Sequence, residues 1–157
     1  QARLAEAVRA GAGLVSLHAS NVLPETEGAG VLRDLIGSRY SSHGPLPHES
    51  RFLIETDSEH PVTAGVDDFS VTHEHYLLDL DEEGVDVVAW RRDGTRREAV
   101  LHTREIGVGR SCYLQLGHDM RVWDDPDVRQ LITNAVRWAA PALRTVPSRE
   151  RSRSVCL

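Results

Sequence analysis

Lysine is missing altogether: all 18 basic residues are arginine. No lysine can therefore act as a Schiff-base former or a general base. Cysteine is scarce. Cys112 stands within an apolar run and Cys156 close to the last residue, which gives no disulfide framework and fits a reducing, cytoplasmic setting. Cys112 and Ser16 lie inside strand-like runs without an elbow of small residues, so neither reads as a nucleophile. Positive charge is in deficit, with 24 acidic against 18 basic residues. Such a chain offers no field for a phosphate backbone, and nucleic acid is not an expected partner. No apolar run approaches the roughly 20 residues that a membrane helix needs, so no membrane contact is expected. The first ten residues hold Arg3, Glu6 and Arg9, where a signal peptide would be apolar.

What is present is an ordinary globular composition, 40% hydrophobic and 27% charged over 157 residues, enough for one domain. "QARLAEAVRAGAG" reads as the second half of an amphipathic helix with no initiator Met and no cap, which suggests the C-terminal part of a longer domain. "GLVSLHAS" predicts a buried strand ending at His18, and "EGAGVLRDLIG" a short helix. "SRYSSHGPLPHES" reads as a polar loop, because its glycine and prolines exclude regular structure. "RFLIETD" is a strand. "SEHPVTAGVDDF" is a turn-rich connection in which His60, before Pro61, shapes the turn. "SVTHEHYLLDLD" reads as one strand, and "VDVVAWRRDGTRREAVLHTRE" as a hairpin about Asp93-Gly94. "GVGRSCYLQLGHD" is the last strand. "DPDVRQLITNAVRWAAPAL" is the clearest helix, with Asp125 as N-cap and Pro126 in the first turn. Residues 144–157 read as a disordered tail, leaving 1–143 as the domain. Helices alternating with apolar strands predict an α/β fold: a mainly parallel sheet flanked by helices, with an inserted hairpin.

In open parallel sheets, ligands bind beyond the carboxyl ends of the strands. Two polar clusters fall there: His18 after "GLVSL", and Gly117-His118-Asp119 after "SCYLQL". If both strands belong to one parallel sheet, the two histidines share a rim. In "HEHY", alternation puts His73 and His75 on one face and Glu74 and Tyr76 on the other. The first pair reads as a solvated face. His43 and His48, in the polar loop, can close over the rim. Histidines with a glutamate suit a divalent metal such as zinc, although there is no His-Glu-x-x-His. Without a metal, His18 and His118 read as general acid and base, with Glu74 or Asp119 orienting one of them, or as plain hydrogen-bonding residues at strand ends. His102, Arg91-Arg92 and Arg96-Arg97 lie on the hairpin and read as surface. Trp123 and Trp138 read as packing residues.

Taken in order, "GAGLVSLHAS", "SSHG", "EHPVTAGV", "HEHYLL", "GVGRSCYLQLGHDMRVWDDP" and "LITNAVRWAA" resemble the trehalose-utilisation, or ThuA-like, family from about Leu4 to Ala140. The resemblance implies a class I glutamine amidotransferase-like, flavodoxin-like fold whose first strands and helices are missing here. Amidotransferases of that fold carry a Cys nucleophile after the strand matching "GLVSL". His18 stands near that place, so ammonia production from glutamine is not expected. The matching pocket positions are His18, His43, Glu74, Tyr76, His118 and Asp119. Of these positions, His18, Glu74 and His118 are expected to assist catalysis, and the same groups are the candidates for a divalent metal such as zinc. His43, Tyr76 and Asp119 are expected to bind substrate. His73 stands where the family has Asp, and Val108 where it has Lys. What is implied is carbohydrate metabolism, with hydrolysis or elimination on an oxidised (keto) sugar or glycoside. Partners would be a sugar dehydrogenase or further copies of the chain. The alternative is a non-catalytic sugar-binding or assembly module that acts with such a dehydrogenase.

Overall fold

The computed structural model describes residues 1–24, 26–45, 47–93 and 95–141. The expected tail, 144–157, and Gly94 of the expected hairpin turn lie outside the described residues. The elements run α1 (Ala2–Arg9), β1 (Gly13–Leu17), a 3-10 turn (His18–Asn21), α2 (Glu27–Ile36), β2 (Ser38–Ser42), β3 (Glu49–Thr56), β4 (Phe69–Glu74) and β5 (Leu77–Leu80). They continue with β6 (Asp86–Asp93), β7 (Arg96–Ile106), β8 (Gly109–Leu114), α3 (Met120–Trp123) and α4 (Pro126–Ala139).

The main sheet has the order β1-β8-β7-β6-β3-β4, and β2 pairs with β5 in a separate ribbon. β1 and β8 run parallel, whereas the β3–β4, β3–β6, β6–β7 and β7–β8 ladders are antiparallel. The sheet is therefore mixed, not mainly parallel as the alternation of helices and strands suggested. The reason is connectivity. A parallel return needs a crossover of about a dozen residues or more, commonly a helix. Between β3 and β8 the described residues contain no helix, so these strands return as hairpins and turns.

Successive side chains of β1 go to opposite faces, as the pleat requires. Val15 and Leu17 join Cys112, Leu114 and Leu116 under α4, which contributes Val128, Leu131 and Ala135 at helical spacing. Leu14 joins Ala5, Val8 and Leu35 of α1 and α2. Fully burying a leucine such as Leu114 or Leu131 stabilises the fold by roughly 1.5–3 kcal/mol. Asp125 caps α4, accepting from the amides of Asp127 and Val128. Gly109 is required by contact, because a Cβ there would lie 1.9 Å from the Val8 carbonyl oxygen.

Several readings of local exposure change. Ser38–Ser42 forms β2 where a loop was expected; the glycine and prolines that follow end that strand without excluding it. "SVTHEHYLLDLD" divides at His75-Tyr76 into strands of two different sheets. His102 is fully buried, because β7 lies inside the sheet with α2 against it. Its Nε2–H donates to the Ile36 carbonyl at 3.1 Å. Arg91 is also buried, with its guanidinium 5.5 Å over the Phe52 ring. His73 is buried instead of solvated, at 1% exposure.

Candidate functional site

β1 and β8 are parallel neighbours that end level, Leu17 beside Leu114, so the residues just beyond them meet at one rim. His18 leaves β1 with φ 47°, in the left-handed region. Gly117, at φ +146°, approaches so closely that a Cβ there would sit 3.3 Å from the His18 Cβ. The His18 backbone is held by Tyr113, whose hydroxyl donates to the His18 carbonyl at 2.8 Å. His18 Nδ1 lies 3.0 Å from the Gln115 carbonyl, which can only accept. Nδ1 therefore carries the proton, and the neutral ring presents the Nε2 lone pair to the rim. Burial lowers the pKa of His18 despite the Gln115 bond and the nearby Glu74.

Two polar atoms lie in front of that lone pair and close a triangle with His18 Nε2. His18 Nε2 is 3.4 Å from Glu74 Oε2 and 3.3 Å from His118 Nδ1. His118 Nδ1 is 3.2 Å from the same Glu74 oxygen. Two ligands on a tetrahedral zinc, each bonded at about 2.0–2.1 Å, stand roughly 3.3 Å apart. Two imidazole nitrogens and a carboxylate oxygen at this spacing fit such an ion, and His18, Glu74 and His118 are the residues that could hold it. The bond from His18 Nδ1 to a backbone carbonyl is the outer contact that orients metal-ligating histidines.

Aromatic rings form the wall. Tyr76 is buried at 5% exposure. It stacks on His18 at 4.8 Å between ring centroids, and its hydroxyl is 3.2 Å from His18 Nε2. Burial pushes the Tyr76 phenol up to about 12, so it remains a donor at neutral pH. His43 Nε2 is 3.8 Å from Glu74 Oε1, and Tyr40 Oη is 2.6 Å from His43 Nδ1. The His43 and His48 rings stack at 5.1 Å. His73 lies behind the triangle, edge-on to His18 at 5.2 Å, and burial pushes it down to about 4.

Of the residues singled out from sequence, His18, Glu74, His118, His43 and Tyr76 come together. Asp119 does not join them. Its carboxylate caps α3 by accepting from the Arg121 amide at 2.8 Å and pairs with the Arg121 guanidinium, which holds it down at about 2. Arg121 in turn pairs with Glu49 at 2.8 Å. Trp123 frames the rim through a bond from Nε1 to the Gly117 carbonyl at 3.1 Å. Sequence reasoning missed Tyr40, His73, Tyr113 and Gln115. Gln115 left a signal, being the one polar residue in the run "CYLQLG".

The sequence family described as trehalose utilisation, ThuA, matches residues 1–139. No functionally curated protein matches the chain. Among solved structures, a ThuA-like protein from Bacteroides uniformis ATCC 8492 aligns with TM-score 0.71 at 19% identity, over 87% of this chain and 61% of that one. A ThuA-like protein from Parabacteroides merdae ATCC 43184 aligns with TM-score 0.64 at 19% identity, over 94% and 67%. A β-galactosidase from Bacillus circulans sp. alkalophilus aligns with TM-score 0.61 at 20% identity, over 91% of this chain and 21% of that one. At these identities the likeness concerns the fold, an α/β arrangement of the flavodoxin-like kind whose sheet is mixed here. The chain spans about 61% of the length of the Bacteroides protein.

Proposed function

The chain belongs to the ThuA, or trehalose-utilisation, family, and on that premise we propose that the His18–Glu74–His118 triangle is the centre of a site acting on an oxidised sugar. The observation that carries this reading is the triangle itself: three ligand-type atoms at 3.2–3.4 Å, from three remote segments, beside a wall of rings. The substrate is a keto sugar or keto-glycoside, and the reaction is hydrolysis or elimination in a reducing, cytoplasmic compartment. A dehydrogenase for sugars would supply the ketone.

A divalent ion on the triangle would polarise the ketone oxygen. The chain's own groups do the rest. Glu74 enters the triangle through Oε2 and keeps Oε1, beside His43, as the acceptor for a proton α to the carbonyl. The bond between Tyr40 and His43 fixes the orientation of that imidazole. The Tyr76 hydroxyl, 3.2 Å from His18 Nε2 on the buried side, would be free to donate to the substrate once the ion takes that lone pair, and the stacked rings of His43 and His48 offer a flat face to a sugar.

The test is turnover of a 3-keto-glucoside by zinc-loaded protein, followed as release of the aglycone. Wild type turns over, and His118→Ala falls by roughly 100-fold or more with an unchanged circular dichroism spectrum, since the His118 side chain is 46% exposed. Unaltered turnover in His118→Ala rejects the assignment. Sugar binding without metal or turnover favours a binding module that partners a dehydrogenase.

A further inference from the structure

His73 is the imidazole of this cluster that touches no open space, and its bonds define one protonation state. Nδ1 lies 2.9 Å from the Glu74 carbonyl oxygen, so it must donate. Nε2 faces two amides, Gly117 N–H at 3.2 Å and His118 N–H at 3.1 Å, so it must accept. Only a neutral ring protonated at Nδ1 can do both. The ring therefore bridges the end of β4, which carries Glu74, to the loop after β8, which carries His118. The Glu74 carbonyl takes a second bond, from Gln115 Nε2 at 3.1 Å. Gly117 has φ +146°, a conformation that a free glycine loop would readily leave. Two amides pinned to one buried lone pair hold it there.

We infer that His73 is the positioning residue of the triangle: by accepting from Gly117 and His118 it sets where the His118 imidazole stands relative to Glu74 and His18. This rests on reading the triangle as a cation site. It touches neither cation nor substrate and acts through the loop. Loss of such an outer contact weakens metal binding by about ten- to hundredfold.

Two substitutions separate this role from bulk packing. His73→Gln places an amide oxygen near the position of Nε2 and keeps the acceptor. His73→Asn keeps a group near Nδ1 and removes the acceptor. Zinc affinity by calorimetry and the visible spectrum of the cobalt(II) form are measured on wild type and both variants, with thermal melts confirming that each is folded. The expected result is a zinc Kd raised about ten- to hundredfold in His73→Asn with an altered cobalt spectrum, and within about threefold of wild type in His73→Gln. Equal affinities in all three, or equal losses in both variants, overturn the inference. If wild type takes up neither metal, the cation reading falls by itself. His73 is then judged on amide exchange of the metal-free protein. Exchange of Gly117 and His118 about tenfold faster in His73→Asn than in His73→Gln, the effect of losing one buried hydrogen bond, supports the loop-setting role; equal rates overturn it.

Discussion

His18 occupies the left-handed region at φ 47°, where a side chain costs about 1–3 kcal/mol. That conformation turns the imidazole off the strand and onto the rim, and the Tyr113 and Gln115 bonds offset the cost. His18 and His118 were legible in the sequence because each is polar where an apolar strand stops, and Glu74 because it shares a face with Tyr76 and matches the family's pattern. His73 and His102 were not. Alternation shows which residues share a face but is silent on which face is covered, and that depends on the neighbouring strand and helix. His102 has a measurable consequence. Burial pushes it down to about 4 from an ordinary 6.5. Between those values the unfolded chain binds a proton that the folded chain does not. Stability therefore falls as pH drops from about 6.5 to about 4, by up to about 1.4 kcal/mol per pH unit, and the contribution is gone below that. His102→Gln keeps a donor for the Ile36 carbonyl and removes the titration. Urea unfolding between pH 7 and pH 4.5 should show a shallower decline in this variant than in wild type. Parallel declines contradict the assignment.

At the scale of elements, the site follows from one pairing, β1 parallel to β8, and from one break, at His75-Tyr76 between β4 and β5. The strands themselves were legible as apolar runs. Their partners were not, because a strand's composition reports its burial and says little about direction. The break was hidden because "HEHYLL" continues the period of a strand while its halves pair in different sheets. Local punctuation was more dependable. Asp125 and Pro126 announced α4, and the structure gives Asp125 two amide bonds. Asp125→Ala should cost about 1 kcal/mol and lower the melting temperature by a few degrees, roughly 2–4 °C in a chain of this size. Zinc affinity should be unchanged, since α4 packs beneath β1 and β8 and supplies no ligand. A melting temperature equal to wild type argues against the cap.

For the whole molecule, a mixed sheet covered by α4 on one face and by α1 and α2 on the other carries the rim at its edge. The triangle joins positions as far as 100 residues apart, so it exists only in the folded chain, and an ion held there would couple its binding to folding. The order of motifs along the chain gave the family, but the meeting of three atoms is a property of tertiary structure. The most direct measurement is zinc K-edge X-ray absorption on protein dialysed after loading with one equivalent of zinc. The expected first shell contains two imidazole nitrogens and one carboxylate oxygen at about 2.0–2.2 Å, and it is lost in Glu74→Ala. Zinc that dialyses away from wild type, or a shell that Glu74→Ala leaves unchanged, contradicts a cation site built on His18, Glu74 and His118.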